Sequence, residues 1–297
     1  MTAIETIDLT KYYGSARGVE GLNLEVSRGE IFGFIGPNGA GKSTTIRLLM
    51  QFLRPTAGRI SLLGTKITGD HPELRRRVGY LPTEINYYKT LTGRQILQFA
   101  ARAHGVRDLK PAHEWAERLD LDLSKTIRSY SMGNRKKLAI VQTLLHDPEL
   151  LILDEPTTGL DPLIQNRFLE ILRERNERGA TIFLSTHVLS EVEKICQRVG
   201  FIKDGRLVRV SKVAEIPGRE ERLIEVRFAE PGDLIERCGF RRIDPRVFYE
   251  GGVHVFHARR HLHEVLRQVA DHPIEDIAVR RPTLEELFLK LYAKEGE

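Results

Sequence analysis

The chain has 297 residues, 41% of them hydrophobic, enough for one large or two ordinary domains around a substantial core. No apolar run approaches the roughly 18 to 20 residues of a membrane span, and Met1-Thr2-Ala3-Ile4-Glu5 does not read as a secretory leader. The net charge of +5 would suit a nucleic-acid partner, but the basic excess lies before residue 222, which argues against one.

In chain order, Ile4 to Leu9 and Leu22 to Val26 read as strands, with Tyr12 and Tyr13 between them. Ile31 to Ile35 is short and wholly apolar, as a strand buried on both faces should be. It runs into Gly36-Pro37-Asn38-Gly39-Ala40-Gly41-Lys42-Ser43-Thr44, which matches G-x-x-x-x-G-K-[ST], and Thr44 to Phe52 follows as a helix. Strand, loop and helix together are the context of a phosphate-binding loop. Gly36, Gly39 and Gly41 let backbone N–H groups face a phosphate, and the new helix presents its positive end to the same anion. Lys42 is placed to reach β- and γ-phosphates, and the Ser43 hydroxyl to ligate Mg²⁺.

Arg59 to Leu63 reads as a further strand. Arg75-Arg76-Arg77, the densest basic run, reads as a solvated helix face, with lipid headgroups or a membrane partner as the alternative. Val78-Gly79-Tyr80-Leu81-Pro82 leads to a loop carrying Thr83 and Glu84. Thr92 to His104 and Ala112 to Leu119 are helical, and Tyr130 to Lys137 precedes a helical stretch through Leu145. Leu150 to Leu153 is a second wholly apolar strand, ending in Asp154 and Glu155 where such sheets bind ligands. Asp154 then holds Mg²⁺ through water, and Glu155 accepts a proton from the attacking water. A helix over Pro162 to Arg175, a strand over Thr181 to Leu184 and a helix over Val188 to Ile195 come next. Val199 to Lys203 and Arg206 to Val210 flank Asp204-Gly205, a hairpin signal. The alternation predicts an α/β fold with a mainly parallel sheet and helices on both faces.

Residues 216–221, rich in Gly, Pro and charge, read as a linker between domains at 1–215 and 222–297. Beyond it, Leu223 to Phe228, Gly232 to Arg237, Arg246 to Tyr249, Val253 to Phe256, Leu262 to Ala270 and Ile274 to Val279 read as strand, short helix, strand, strand, helix and strand. That order suggests a small α+β, ferredoxin-like domain. A final helix over Thr283 to Tyr292 opens on a capping box formed by Thr283 and Glu286. His254, His257, His261, His263 and His272 share no helix or strand face with metal-ligand spacing, so they read as surface histidines. Cys196 and Cys238 read as free thiols of a reducing compartment.

Three further segments complete a pattern: Tyr130-Ser131-Met132-Gly133-Asn134, Gly159-Leu160-Asp161-Pro162 and Ser185-Thr186-His187. With the two nucleotide motifs, in this order, residues 1 to about 215 resemble the nucleotide-binding cassette of ATP-binding cassette (ABC) transporters. The resemblance implies a P-loop NTPase with N-terminal antiparallel strands and a helical subdomain at about 85–145. It implies ATP and Mg²⁺ as ligands, held between two subunits arranged head to tail as a homodimer or a paralogue heterodimer. Ser131 and Gly133 would bind the γ-phosphate held by the other subunit, and Asp161 would couple the two sites. His187 would contact the γ-phosphate, and Tyr13 would stack on adenine, with Tyr12 as the neighbouring option.

Two departures mark this chain. Met132 and Asn134 replace the family's first signature glycine and its glutamine. Thr83 stands where a Mg²⁺-contacting glutamine is usual, with Glu84 as a possible substitute. The resemblance implies a cytoplasmic ATPase, peripheral on the membrane, that drives separate transmembrane subunits. The Pro-Thr-Leu-Glu-Glu-Leu-Phe segment resembles the accessory domain of exporter-type members, which favours export over import. A soluble member acting on DNA or ribosomes, or a non-hydrolysing sensor, fits less well.

Overall fold

The computed structural model describes residues 1–287 apart from 70, 217–219, 231, 243, 259–261 and 285. The chain forms two compact units, Met1–Val213 and Ala214–Glu297. The first contains β1 (Thr2–Tyr13), β2 (Ala16–Ser27), β3 (Ile31–Ile35), α1 (Lys42–Leu49), β4 (Ala57–Leu62), β5 (Thr65–Lys66), α2 (Pro72–Arg75), β6 (Val78–Leu81) and α3 (Gly93–His104). It continues through α4 (Lys110–Arg118), α5 (Met132–Leu144), β7 (Leu150–Asp154), α6 (Pro162–Glu177), β8 (Thr181–Thr186), α7 (Leu189–Ile195), β9 (Arg198–Lys203) and β10 (Arg206–Lys212).

Six strands form the main sheet in the order β10-β9-β3-β8-β7-β6. Neighbours are parallel except for the β9–β10 hairpin. A second sheet, β2-β1-β4-β5, is antiparallel throughout. β3, β7 and β8 are buried at every position, which is why their sequences are apolar without alternation. Phe32, Phe34, Ile152 and Phe183 join Ile46 and Leu48 of α1 and Ile4, Leu22 and Leu24 of the second sheet in one core. Each such side chain, fully buried, contributes about 1.5–3 kcal/mol. On the other face, a Cβ on Gly33 would stand 3.1 Å from Cys196 Sγ and 3.2 Å from Val192, so the missing side chain lets α7 lie against β3. Helices thus cover both faces, and the C-terminal ends of β3, β7 and β8 are left to carry the loops between them.

β6 corrects the sequence reading, which treated Val78–Leu81 as the approach to a loop. It is the edge strand of the main sheet, paired in parallel with β7. Gly79 makes this possible: a Cβ there would fall 2.7 Å from the Thr143 carbonyl and 2.8 Å from Pro148. The helical part begins at a capping box, in which Thr92 Oγ1 accepts from the Gln95 amide and Gln95 Oε1 accepts from the Thr92 amide. In the basic run, Arg76 pairs with Glu73 at 3.2 Å, and Arg77 donates twice to Glu149 at 2.6 and 2.8 Å.

The second unit contains β11 (Arg222–Phe228), β12 (Phe248–Glu250), β13 (Val253–Ala258), α8 (Leu262–Val269) and β14 (Ile274–Arg280). Its antiparallel sheet has the order β12-β13-β11-β14, around a core that includes Ile224, Phe228, Phe240, Phe256 and Val265. In place of the expected short helix over 232–237, residues 235–237 form a turn, with the Cys238 amide bonded to the Leu234 carbonyl and the Phe240 amide to the Ile235 carbonyl, both at 2.9 Å. The reading of the histidines as surface groups is also corrected. His254 is 1% exposed, accepts from the Leu234 amide at 2.9 Å and packs on Phe228 and Tyr249. His257 is buried beside Asp244, 3.4 Å from its carboxylate. Among the described residues no group of three or more His, Cys, Asp or Glu could hold a metal; His261 lies outside them. Cys196 and Cys238 are free thiols. Thr283 and Glu286 exchange the two capping-box bonds, at 2.7 and 3.2 Å, while 285 and 288–292 of the expected final helix lie outside the described residues. Of the expected linker at 216–221, residues 217–219 lie outside them too.

Candidate functional site

The loop between β3 and α1 is shaped by contacts that admit only glycine at two positions. At Gly36 a Cβ would sit 2.3 Å from the Ile202 carbonyl oxygen. Gly41 combines φ of 107° with a Cβ position 2.7 Å from the Gly18 carbonyl. Pro37, Asn38 and Gly39 are exposed, while Ala40 is buried and anchors the loop. Gly41 is the N-cap of α1 and offers no side-chain cap, so the first N–H groups of the helix are left for an anion. Ser43 and Thr44 stand in that first turn, half-buried.

Lys42 is 6% exposed. Its Nζ donates to the Gly36 carbonyl at 2.6 Å and the Pro37 carbonyl at 3.2 Å, and lies 3.6 Å from Glu155 Oε1. Asp154, the last residue of β7, is 4% exposed. One of its oxygens accepts from Ser185 Oγ at 2.6 Å, because the parallel register sets Asp154 opposite Ser185. Glu155 is next, with φ of 47°, a strained backbone for a residue with a side chain. Its amide donates to the Ser185 carbonyl at 3.1 Å, which turns the side chain across the sheet end. There Glu155 Oε2 meets His187 Nδ1 at 2.8 Å. One carboxylate therefore touches both the loop lysine and the strand-end histidine.

The other candidates fall around this centre. Tyr13, at the end of β1, has its hydroxyl 3.5 Å from Thr44 Oγ1, and its exposed ring borders the loop. Tyr12, half-buried, has its amide bonded to Thr56 Oγ1 at 3.1 Å. Thr83 Oγ1 donates to the Asp154 carbonyl at 3.3 Å, whereas Glu84 is exposed and lines a groove of about 550 Å³ with Phe52, Tyr80 and Tyr87. Ser131 caps α5, accepting from the Asn134 amide at 3.2 Å. Gly133 lies under the Gly159 carbonyl, 3.1 Å from where a Cβ would be. Met132 packs over Gly159 yet remains exposed, and Asp161 caps α6 through the Ile164 amide at 3.0 Å.

Sequence reasoning missed three supporting features. Ser185 stood in a quoted motif but received no role; the aligned ends of two apolar strands were the signal for it. Glu191, on α7, is buried and accepts hydroxyl hydrogens from Thr157 and, at 3.1 Å, from Thr186. It joins the loop after Glu155 to the strand before His187, and burial raises its pKa. Lys136, on α5, is 3% exposed and donates to the Pro82 carbonyl at 3.2 Å. Burial pulls its pKa down to about 8, against the opposing attraction of Asp154 and Glu155.

The family described as ABC transporter matches residues 19–158. A second family, described as an AAA domain, putative AbiEii toxin of a type IV TA system, matches residues 125–193. The bacitracin transport ATP-binding protein BcrA of Bacillus licheniformis is 34% identical over 98% of this chain and 97% of its own length. The daunorubicin resistance ATP-binding protein DrrA3 of Streptomyces coeruleorubidus is 35% identical over 98% and 96%. The Nod factor export ATP-binding protein I of Rhizobium etli is 32% identical over 100% and 95%. Among solved structures, an ATP-binding subunit of an ABC transporter superposes with TM-score 0.68 at 34% identity, covering 72% of this chain and 92% of that one. A dimeric post-hydrolysis cassette bound to ADP and Pi, 24% identical, shares the fold with TM-score 0.62 over 71% of this chain and 98% of its own. With relatives this similar along nearly its full length, and a phosphate loop whose lysine meets the acidic end of β7, the chain belongs to the ATP-binding subunits of ABC transporters.

Proposed function

We propose that this subunit hydrolyses ATP in a head-to-tail pair and thereby drives export of an amphipathic, antibiotic-like compound through separate transmembrane subunits. The observation that carries the reading is the Glu155 carboxylate shared between Lys42 and His187. Arrival of the triphosphate competes for Lys42, which exchanges two loop carbonyls for phosphate oxygens. Glu155 is then released from the lysine and holds a water by one oxygen while His187 fixes the other. As general base it takes the water's proton, and the loop amides and Lys42 carry the charge that develops on the phosphate.

Ser43 and Asp154 offer hard oxygen donors, and the Ser185 bond occupies one Asp154 oxygen and fixes the direction of the other. That set fits Mg²⁺, which retains most of its water and needs few protein ligands. When bound, Mg²⁺ neutralises phosphate charge. Ser131, on the exposed start of α5, supplies the second wall of the site to the opposite copy, and Tyr13 stacks on the base. Whether that copy is identical or a paralogue, closure assembles both sites. The groove beside Glu84, with Phe52 and Tyr88 exposed, receives the cytoplasmic face of the transmembrane partner. The relatives named for bacitracin transport, daunorubicin resistance and Nod factor export support the direction and the class of cargo. The second unit braces or regulates the pair.

The test is purification of the tagged chain from detergent-solubilised membranes with Mg-ATP turnover measured on the complex. A co-purifying membrane protein and loss of turnover in Lys42→Ala are expected. Recovery of the chain alone, with Lys42→Ala fully active, would overturn the reading.

A further inference from the structure

We propose that Lys136 is a positioning residue that ties the α5 helix to the acidic end of β7, so that movement at Ser131 is felt at Asp154 and Glu155. Lys136 stands about one and a half turns beyond Ser131 on α5. It reaches the loop after β6 through its bond to the Pro82 carbonyl. The next residue, Thr83, is bonded to the Asp154 carbonyl. Helix, loop and acidic strand are thus linked through two hydrogen bonds, 3.2 and 3.3 Å long.

Three observations favour a functional role over simple packing. A buried ammonium is costly unless opposite charge compensates it, and the carboxylates that attract Lys136 are Asp154 and Glu155. The loop's own side chains do not supply that charge: the Thr83 hydroxyl is committed to a backbone carbonyl, and Glu84 faces the groove. The neighbouring buried lysine, Lys137, turns away to the Asp120 carbonyl, so burial of a lysine on α5 does not by itself send it to the site. Lys136 therefore places a fixed cation behind the acids and pins the loop whose position sets the Asp154 backbone. The effect is on the chemical step, with the phosphate loop left as it is.

The inference rests on Glu155 belonging to the hydrolytic site, so Glu155→Gln serves as the control. In Lys136→Met, which keeps length and loses charge, kcat should fall about ten-fold while KM for Mg-ATP stays within about three-fold. Backbone amides at 80–87 of the nucleotide-free chain should exchange hydrogen faster, and Lys136→Arg should restore both protection and at least about a third of kcat. If Lys136→Met does not fold, Lys136→Gln carries the same two measurements. Wild-type kcat, a kcat loss without faster exchange at 80–87, a rise in KM alone, or a folded arginine variant as impaired as methionine would each overturn the role. An active Glu155→Gln would instead remove the reading on which it rests.

Discussion

Replacing Ser185 by alanine removes a single hydroxyl from the completely buried end of β8. Asp154 then loses a charge-assisted hydrogen bond of 2.6 Å, and the Glu155 amide loses one of its two acceptors. A bond to a buried charge contributes about 1.5–3 kcal/mol. The space left is polar enough for a water to return part of that, so about 2 kcal/mol is the net loss. For a unit of this size each kcal/mol lowers the melting temperature by roughly 2–4 °C, which gives a drop of about 4–8 °C. Asp154 also becomes free to turn, and loss of a partner that orients a metal ligand weakens metal affinity by roughly 10–100-fold. Calorimetric melting and a magnesium titration of ATP turnover measure both effects. A melting temperature within about 1 °C of wild type, together with unchanged half-saturation for magnesium, would refute the assignment of Ser185 as the group that holds Asp154.

Gly36→Ala should cost about 2–3 kcal/mol in denaturant titration and abolish ATP binding, because its Cβ would meet the Ile202 carbonyl at 2.3 Å, a backbone atom fixed in β9; normal stability would show that the loop can move away. His146, stacked on His104 with centroids 3.9 Å apart and bonded to the Val78 carbonyl, has its pKa lowered by burial to about 4. The unfolded chain binds this proton near pH 6.5 and the folded one only near 4, so stability falls as pH drops through that window. Allowing for solvent at the half-buried ring, the loss is about 2 kcal/mol, and His146→Gln should flatten the stability profile between those limits; an unchanged profile would contradict it.

The meeting of Lys42, Glu155 and His187 was readable because each lies at or just after the end of a short apolar run. Ile31–Ile35 and Leu150–Leu153 can only be strands buried on both faces, and the residues after each must emerge at one edge of the sheet. Gly36 and Gly41 carry their own signature, since a side chain at either would meet backbone atoms. β6 escaped notice because four residues with a glycine among them hold no period, and its strand character comes from pairing with β7. In the second unit, residues 232–237 look helical, yet the Leu234 amide is spent on His254, a long-range bond invisible in local sequence. His254 itself looked like a surface histidine because its aromatic surroundings come from Phe228 and Phe240, distant along the chain, and from Tyr249 across the hairpin. Lys136 was hidden for a related reason. A lysine three residues past a signature glycine reads as solvated, and only the fold brings Pro82 and the two acids to it.

In the proposed mechanism Glu155 activates the water for ATP cleavage between two opposed copies. Glu155→Gln keeps the shape of the side chain and removes its basicity, so it separates binding from chemistry. Sedimentation velocity with Mg-ATP, alongside phosphate release, measures both. Turnover should fall by about 10²–10⁴-fold, and a dimer should form only when ATP is present. Wild-type turnover, or a chain that stays monomeric while saturated with ATP, would contradict it.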